Sequence, residues 1–224
     1  MRIGAYSALV QALCYLFGFV LLLTAMNPAG LGLETPLEKL EFLLEREAVF
    51  QLWNFVIYIV FGVALVVLAV VLHRLIDRPC TFGMSVATPF ALIWAGLVLA
   101  SGLIAMTGLP AAGELLASDA AAAEQLWSTL GVVQSALGGG IEFVGGLWVL
   151  MVSVLALRQS KLLPRALNLW GLVVGASGLL TVVPGLGDLG AVFGLTQIVW
   201  FLAIGIVLLR RAPDRDAPTM RANP

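Results

Sequence analysis

Six apolar runs divide the chain, at roughly 5–26, 50–72, 86–107, 130–157, 166–185 and 190–209. Each reaches the length of about 20 residues that a helix needs to cross the hydrocarbon core of a bilayer. The pattern predicts an all-α polytopic membrane protein with six transmembrane helices over residues 1–211. The first run exceeds the 7–15 residues typical of a signal-peptide core, and Thr24-Ala25-Met26 makes a poor cleavage site, so it reads as a retained helix. The last stretch, 212–224, holds three prolines and mixed charge. It reads as a disordered cytoplasmic tail.

Polar residues between the runs predict further elements. Thr35 is a candidate helix N-cap, Pro36 suits the first turn, and Glu38 completes a capping box. Leu37, Leu40 and Leu44 then share a face, which predicts a short amphipathic helix on the outer surface or capping the bundle. A similar helix is expected near 113–128, with Asp119 as its cap. Gln51-Leu52-Trp53 and Gln125-Leu126-Trp127 hint at a repeated unit of outer helix followed by inward span. The fourth span is too long for one straight crossing. From Asp119 to Leu157 a single helix would extend nearly 60 Å at 1.5 Å per residue. Gly138, Gly139 and Gly140 are the natural place for a kink or break.

Charge gives the expected orientation. With six spans, Arg2, Arg74, Arg78, Arg158, Lys161, Arg165, Arg210, Arg211, Arg215 and Arg221 fall on the side of the termini. Only Lys39 and Arg46 fall on the other. Basic loops stay inside, so both termini are expected in the cytoplasm. The outer side carries Glu34, Glu38, Glu41, Glu45, Glu47, Glu114, Asp119, Glu124 and Asp188, chiefly because nothing there has to be retained inside.

Glu142 is the one acidic residue that no loop can claim. On a continuous helix its neighbours would be Gly138, Gly139, Gly145 and Gly146, a strip without side chains. A carboxyl group there must face protein or water. It can take up a proton or hold a cation, or it can act as hydrogen-bonding glue to Gln197 or another helix. Depth counting places Glu142, Asn54, Ser101 and Gln197 together in the outer halves of their spans. These four are the candidate ligand-binding residues, around an outward-facing cavity.

Other polar and small residues have structural readings. Gln11, Gln134 and Gln197 are expected as interhelical hydrogen-bond partners. Small-residue spacing at Gly4, Ala8 and Ala12, at Gly171 and Gly175, and at Gly190 and Gly194 predicts close helix packing. Trp53, Trp127 and Trp170 are placed as interfacial anchors, whereas Trp148 and Trp200 fall deeper and need partners for their N–H groups. His73, at the inner end of the second span, is expected to snorkel to headgroups.

Composition narrows the functional classes. Of 224 residues, 61% are hydrophobic and 11% charged; mean hydropathy is +1.03 and net charge -1. Soluble domains carry about 25% charge. Cys14 and Cys80 fall at different depths, so no disulfide is expected, and one histidine gives no basis for a histidine metal site or paired haem ligation. No cofactor or metal is implied. No basic, aromatic-bearing soluble surface points to nucleic acid. The G-x-S-x-G, H-E-x-x-H and phosphate-loop signatures are missing, and the balance is against an enzyme.

Several stretches carry a family likeness. The second span opens with Glu47-Ala-Val-Phe-Gln-Leu and closes with Val71-Leu-His-Arg-Leu. After the fourth come Arg158-Gln-Ser-Lys-Leu-Leu-Pro-Arg-Ala-Leu and the small-residue run from Gly171. The chain resembles a family of uncharacterised bacterial six-helix membrane proteins, known as a domain of unknown function. The resemblance implies six helices in a bacterial inner membrane and supplies no catalytic residue.

Two functional readings follow. In the first, the protein binds a small molecule or a lipid beside Glu142, with proton-coupled transport as its extension. Six helices are few for a transporter, so transport would call for a homodimer. In the second, it is a structural or partner-binding membrane subunit in which Glu142 is glue. Membrane lipids are partners in both.

Overall fold

A computed structural model describes residues 1–27, 29–139, 142–159 and 162–212, without the side chains of 29, 77–81, 139 and 159. The expected tail beyond residue 212 lies outside these residues, as does the side chain of Cys80. Among the described residues the fold is helical, with no strand.

The elements are α1 (Arg2–Thr24), α2 (Pro36–Leu44), α3 (Glu47–Ile76) and α4 (Phe82–Leu116), α5 (Ala120–Gln134), α6 (Phe143–Gln159), α7 (Arg165–Leu180) and α8 (Leu189–Arg211). Helical backbone continues from α3 into α4 through 77–81. The two are nevertheless arms of a hairpin. His73 Nδ1 lies 2.8 Å from Thr88 Oγ1, whereas residues 15 apart on a straight helix would be about 22 Å apart. Gly62 lies against Leu99, and Gly102 against Tyr58, along the same seam. His73 therefore binds across the hairpin through Nδ1.

Five helical stretches are long and apolar enough to cross a membrane: α1, α3, α4, the stretch Ala120–Arg158, and α8. The fifth expected span is shorter than foreseen. α7 ends at Leu180, and turns follow in which Val183 N–H reaches Leu180 O at 3.0 Å and Leu186 N–H reaches Val183 O at 3.0 Å. Pro184 cannot prolong a helix, and Gly185 adopts a φ of 84°, which favours glycine.

The long arms pack antiparallel in a closed ring: α1 on α3, α3 on α4, α4 on α6, α6 on α7, α7 on α8 and α8 on α1. Gly4 meets Val71 and Gly18 meets Ile57 between α1 and α3, while Gly205 meets Leu9 and Gly194 meets Phe19 between α8 and α1. Arg2 and Arg211 therefore lie at the same end of the bundle. Between apolar helices in lipid there is little hydrophobic drive to associate, so close packing through small residues carries the contact. Gly146 on α6 shows this most sharply. A Cβ there would stand 2.7 Å from the Gly175 carbonyl oxygen and 2.7 Å from the Leu179 nitrogen. The small-residue run of α7 thus serves packing, as its spacing predicts.

Aromatic side chains fill the ring. Phe61 packs edge-on against Trp94 (ring centroids 5.5 Å apart), Trp94 meets Trp148 at 6.0 Å, and Trp148 meets Trp200 at 5.6 Å. Tyr15 joins the cluster through Phe61 at 5.3 Å. Edge-to-face contacts of this kind add stability beyond area burial.

α2 caps the end of the bundle away from the termini. Its capping box forms: Thr35 Oγ1 accepts from Glu38 N–H at 3.2 Å, and Glu38 Oε2 accepts from Thr35 N–H at 3.0 Å. Leu40 packs with Phe50, Leu109 and Ala123 in a second, smaller apolar core. Asp119 caps α5 by accepting from Ala122 N–H at 3.0 Å. Trp53 and Trp127 flank Phe50, at 6.2 and 5.9 Å.

Candidate functional site

The long fourth stretch breaks where its glycines predict. A wide π-helical turn, Ser135–Gly139, follows α5, and Gly138 takes φ 128° and ψ 18°. That conformation is open to glycine and strained for other residues. Glu142 resumes the described chain immediately before α6. It therefore does not sit on a continuous helical face between four glycines, which corrects the strip foreseen from the sequence. The break separates Gly138 and Glu142 from a common helix and leaves both on the wall of one cavity.

That cavity has a volume of about 320 Å³. α1 contributes Cys14, Tyr15, Gly18, Phe19 and Leu22; α3 contributes Trp53, Ile57, Tyr58 and Phe61; α4 contributes Trp94 and Val98. It runs from Leu22, which is 42% exposed, to Trp94, which is 2% exposed. Leu22 ends α1 and Trp53 begins α3, so the cavity lies in the half of the bundle away from the termini. The volume is at the small end of the range for small-molecule sites, about 300–1,000 Å³.

Glu142 is held by its backbone. Its N–H donates to Thr181 Oγ1 at 3.0 Å, and that hydroxyl donates to Gly178 O at 2.7 Å. The Glu142 carbonyl accepts from Gly146 N–H at 2.8 Å and so starts α6. The positive end of the helix dipole is thereby set beside the carboxyl group. The side chain is half-buried and lines the cavity. Among the described residues no donor is bonded to its oxygens. Tyr15 and Tyr58 line the same cavity. Gln134 Nε2 donates to the Tyr58 hydroxyl at 3.3 Å, fixing that ring across the α3–α5 contact.

Of the four candidate residues, Glu142 alone is on the cavity wall. Asn54 is buried and its Nδ2 donates to Phe50 O at 2.9 Å within its own helix. Ser101 is buried and its Oγ donates to Gln134 O at 3.3 Å. Gln197 is fully buried with neither amide atom bonded among the described residues. No Glu142–Gln197 hydrogen bond is formed among the described residues. Gln134 does bond across helices as expected, whereas Gln11 donates within α1, to Ser7 O at 3.1 Å. Trp148 and Trp200 are buried as foreseen, but their N–H groups, like that of Trp94, have no partner among the described residues. Their contacts are ring against ring.

Sequence reasoning missed Tyr15, Phe19, Tyr58 and Trp94 as companions of Glu142, and Thr181 as its anchor. Tyr58 lies within a second π-helical turn, Phe55–Val60. Such turns insert an extra residue into the helical repeat and often occur at functional sites. Both turns border this cavity. Among the described residues no cluster of three or more metal-ligating side chains occurs.

Long apolar helices packed around an aromatic core are the build of a helical membrane protein. No protein-family model, curated protein or solved structure matches the chain. The functional reading therefore rests on the site itself.

Proposed function

We propose that this protein binds a small molecule or a lipid in the cavity at Glu142. One observation carries the reading: a carboxyl group with no hydrogen bond among the described residues lines a cavity of about 320 Å³ inside an otherwise apolar bundle. A carboxyl group in a membrane interior is costly unless it serves water, a partner or a ligand. Here the neighbouring helices offer it no hydrogen bond among the described residues.

In this reading the chain crosses the membrane six times, with α7 and its following turns as the short fifth crossing and α5–α6 as a broken fourth. The ring supports an even number of crossings, because Arg2 and Arg211 lie together. Arg74, Arg158, Arg165 and Arg210 belong to that same end, so the positive-inside rule puts both termini in the cytoplasm. The cavity then lies in the outward half, beneath the α2 cap. A bacterial inner membrane, and membership of the six-helix family that the sequence resembles, belong to the same proposal.

Thermal unfolding of purified wild type and Glu142→Gln against a panel of small molecules and lipids tests it. The expected result is a stabilising shift in the wild type that the variant loses while remaining folded, since a ligand that binds only the native state raises its stability. Equal shifts in both proteins, or none in either, would sink the reading.

A further inference from the structure

The walls of the cavity say more than its volume. Of its thirteen described lining residues six are aromatic and Glu142 is the only acid, and none of them is Lys, Arg or His. An anionic ligand would meet a carboxylate with no cation to offset it. A neutral apolar ligand would leave the carboxylate unanswered. An ammonium group answers both features: the acid neutralises its charge, and the negative faces of aromatic rings attract it. The rings are also held in place. Tyr15 is braced by Phe61 at 5.3 Å and by Phe201 at 6.3 Å. The Tyr58 hydroxyl is held by Gln134, and Trp53 Nε1 donates to Gly18 O at 3.2 Å. A box whose rings are fixed before binding loses little entropy when it closes on a ligand.

We infer that the ligand is a lipophilic organic cation, an ammonium group bearing apolar substituents, bound with the ammonium beside Glu142 and among the rings of Tyr15, Phe19, Tyr58 and Trp94. This rests on the cavity-binding reading above and narrows it to one charge class. The ammonium group belongs either to a free amine or to the headgroup of an amine phospholipid. The helix dipole at the start of α6 supports the carboxylate charge that such a ligand needs.

Isothermal titration in dodecyl maltoside with benzyltrimethylammonium, against its uncharged carbon isostere neopentylbenzene, tests the inference. The wild type is expected to bind the cation at least about tenfold more tightly than the isostere, from the combined contributions of charge and rings. Glu142→Gln should abolish that preference. Phe19→Leu keeps the carboxylate and most of the apolar volume, and should weaken the cation more than the isostere; it provides the second reading should Glu142→Gln fail to fold. Competition by dihexanoylphosphatidylcholine, but not by dihexanoylphosphatidylglycerol, would assign the site to a lipid headgroup. Absence of competition would assign it to a free amine. Equal binding of cation and isostere, unchanged by Glu142→Gln and by Phe19→Leu, would overturn the cation inference and leave a neutral-ligand cavity. Binding of neither probe, together with a blank ligand panel, would remove the cavity reading as well.

Discussion

Thr181 joins the start of α6 to the end of α7: its hydroxyl accepts the Glu142 backbone N–H at 3.0 Å while donating to the Gly178 carbonyl at 2.7 Å. The hydroxyl thus positions the carboxylate-bearing residue without touching the cavity. Thr181→Val keeps the shape and removes both bonds. It should cost about 1–3 kcal/mol, the usual range when a buried polar group loses its partner. Probe affinity should fall with it, because the Glu142 backbone is released. Thr181→Ser should restore both properties. Denaturant unfolding and titration of the three proteins check this; a Thr181→Val protein with unchanged affinity would show that the anchor is irrelevant to the site.

Cation binding should compete with protons. Only the ionised carboxylate pairs with an ammonium group, so proton and ligand are mutually exclusive at Glu142. Binding linkage then requires the apparent affinity to fall as pH is lowered through the titration of this group, by at most about tenfold per pH unit for one proton. The other titratable groups on the cavity wall are Cys14, Tyr15 and Tyr58. Each is neutral when protonated, so none supplies a competing positive charge. Titrations across a pH series should show the slope in the wild type and a flat line in Glu142→Gln. A slope that persists in the variant would assign the proton to another group. The same exchange is what proton-coupled transport would use.

Two glycine substitutions should differ in kind from a third. Gly146→Ala places a methyl group 2.7 Å from backbone atoms of α7, and backbone cannot move aside cheaply. The α6–α7 seam must open, at a cost of about 1–3 kcal/mol or more. Gly138→Ala has room, since its nearest neighbour would be Val98 Cγ2 at 3.9 Å, but its φ of 128° penalises any side chain. A cost of about 1–3 kcal/mol is expected from backbone strain alone. Gly96→Ala meets nothing within 4 Å and should be neutral or stabilising by up to about 1 kcal/mol through helix propensity. Unfolding midpoints in one detergent rank the three; a Gly146→Ala protein as stable as Gly96→Ala would contradict the close α6–α7 approach.

The α2 cap should loosen in acid. The backbone N–H of Thr35 is the largest influence holding the Glu38 carboxyl below the usual glutamate range, aided by the Thr35 hydroxyl and the Glu34 N–H. A lowered folded value means that the stabilisation is present above the ordinary glutamate value of about 4.3 and disappears as pH falls through the folded one. Hydrogen exchange in α2 should therefore be steady near neutrality and accelerate, beyond its intrinsic pH dependence, in acid. Thr35→Ala should cost about 1 kcal/mol of local stability. Unchanged exchange in that variant would mean that packing of Leu40 alone holds the helix.

Much of this architecture depends on properties local to the chain, and those were legible in the sequence. Apolar runs mark the long helices because bilayer thickness sets their length. Thr35 with Glu38, and Asp119, mark helix starts because a cap reaches only the next few N–H groups. Gly138 marks the break because its backbone conformation suits glycine. Pro184 and Gly185 are equally local signals that a helix cannot run on to residue 185. Which side chains surround Glu142 is a different kind of fact. It depends on the rotation of each helix about its axis, and spans that are apolar all round carry little periodic signal for that angle. Asn54 and Tyr58 show the consequence. They lie one turn apart on α3, yet Asn54 bonds back to its own helix while Tyr58, inside a π-helical turn, lines the cavity. Depth counting carries no information about rotation, so it placed Asn54 at the site and overlooked Tyr58. Packing of α1, α3 and α4 around the break before α6 put aromatic rings there and brought Tyr58 and Glu142, far apart in sequence, to the wall of one cavity.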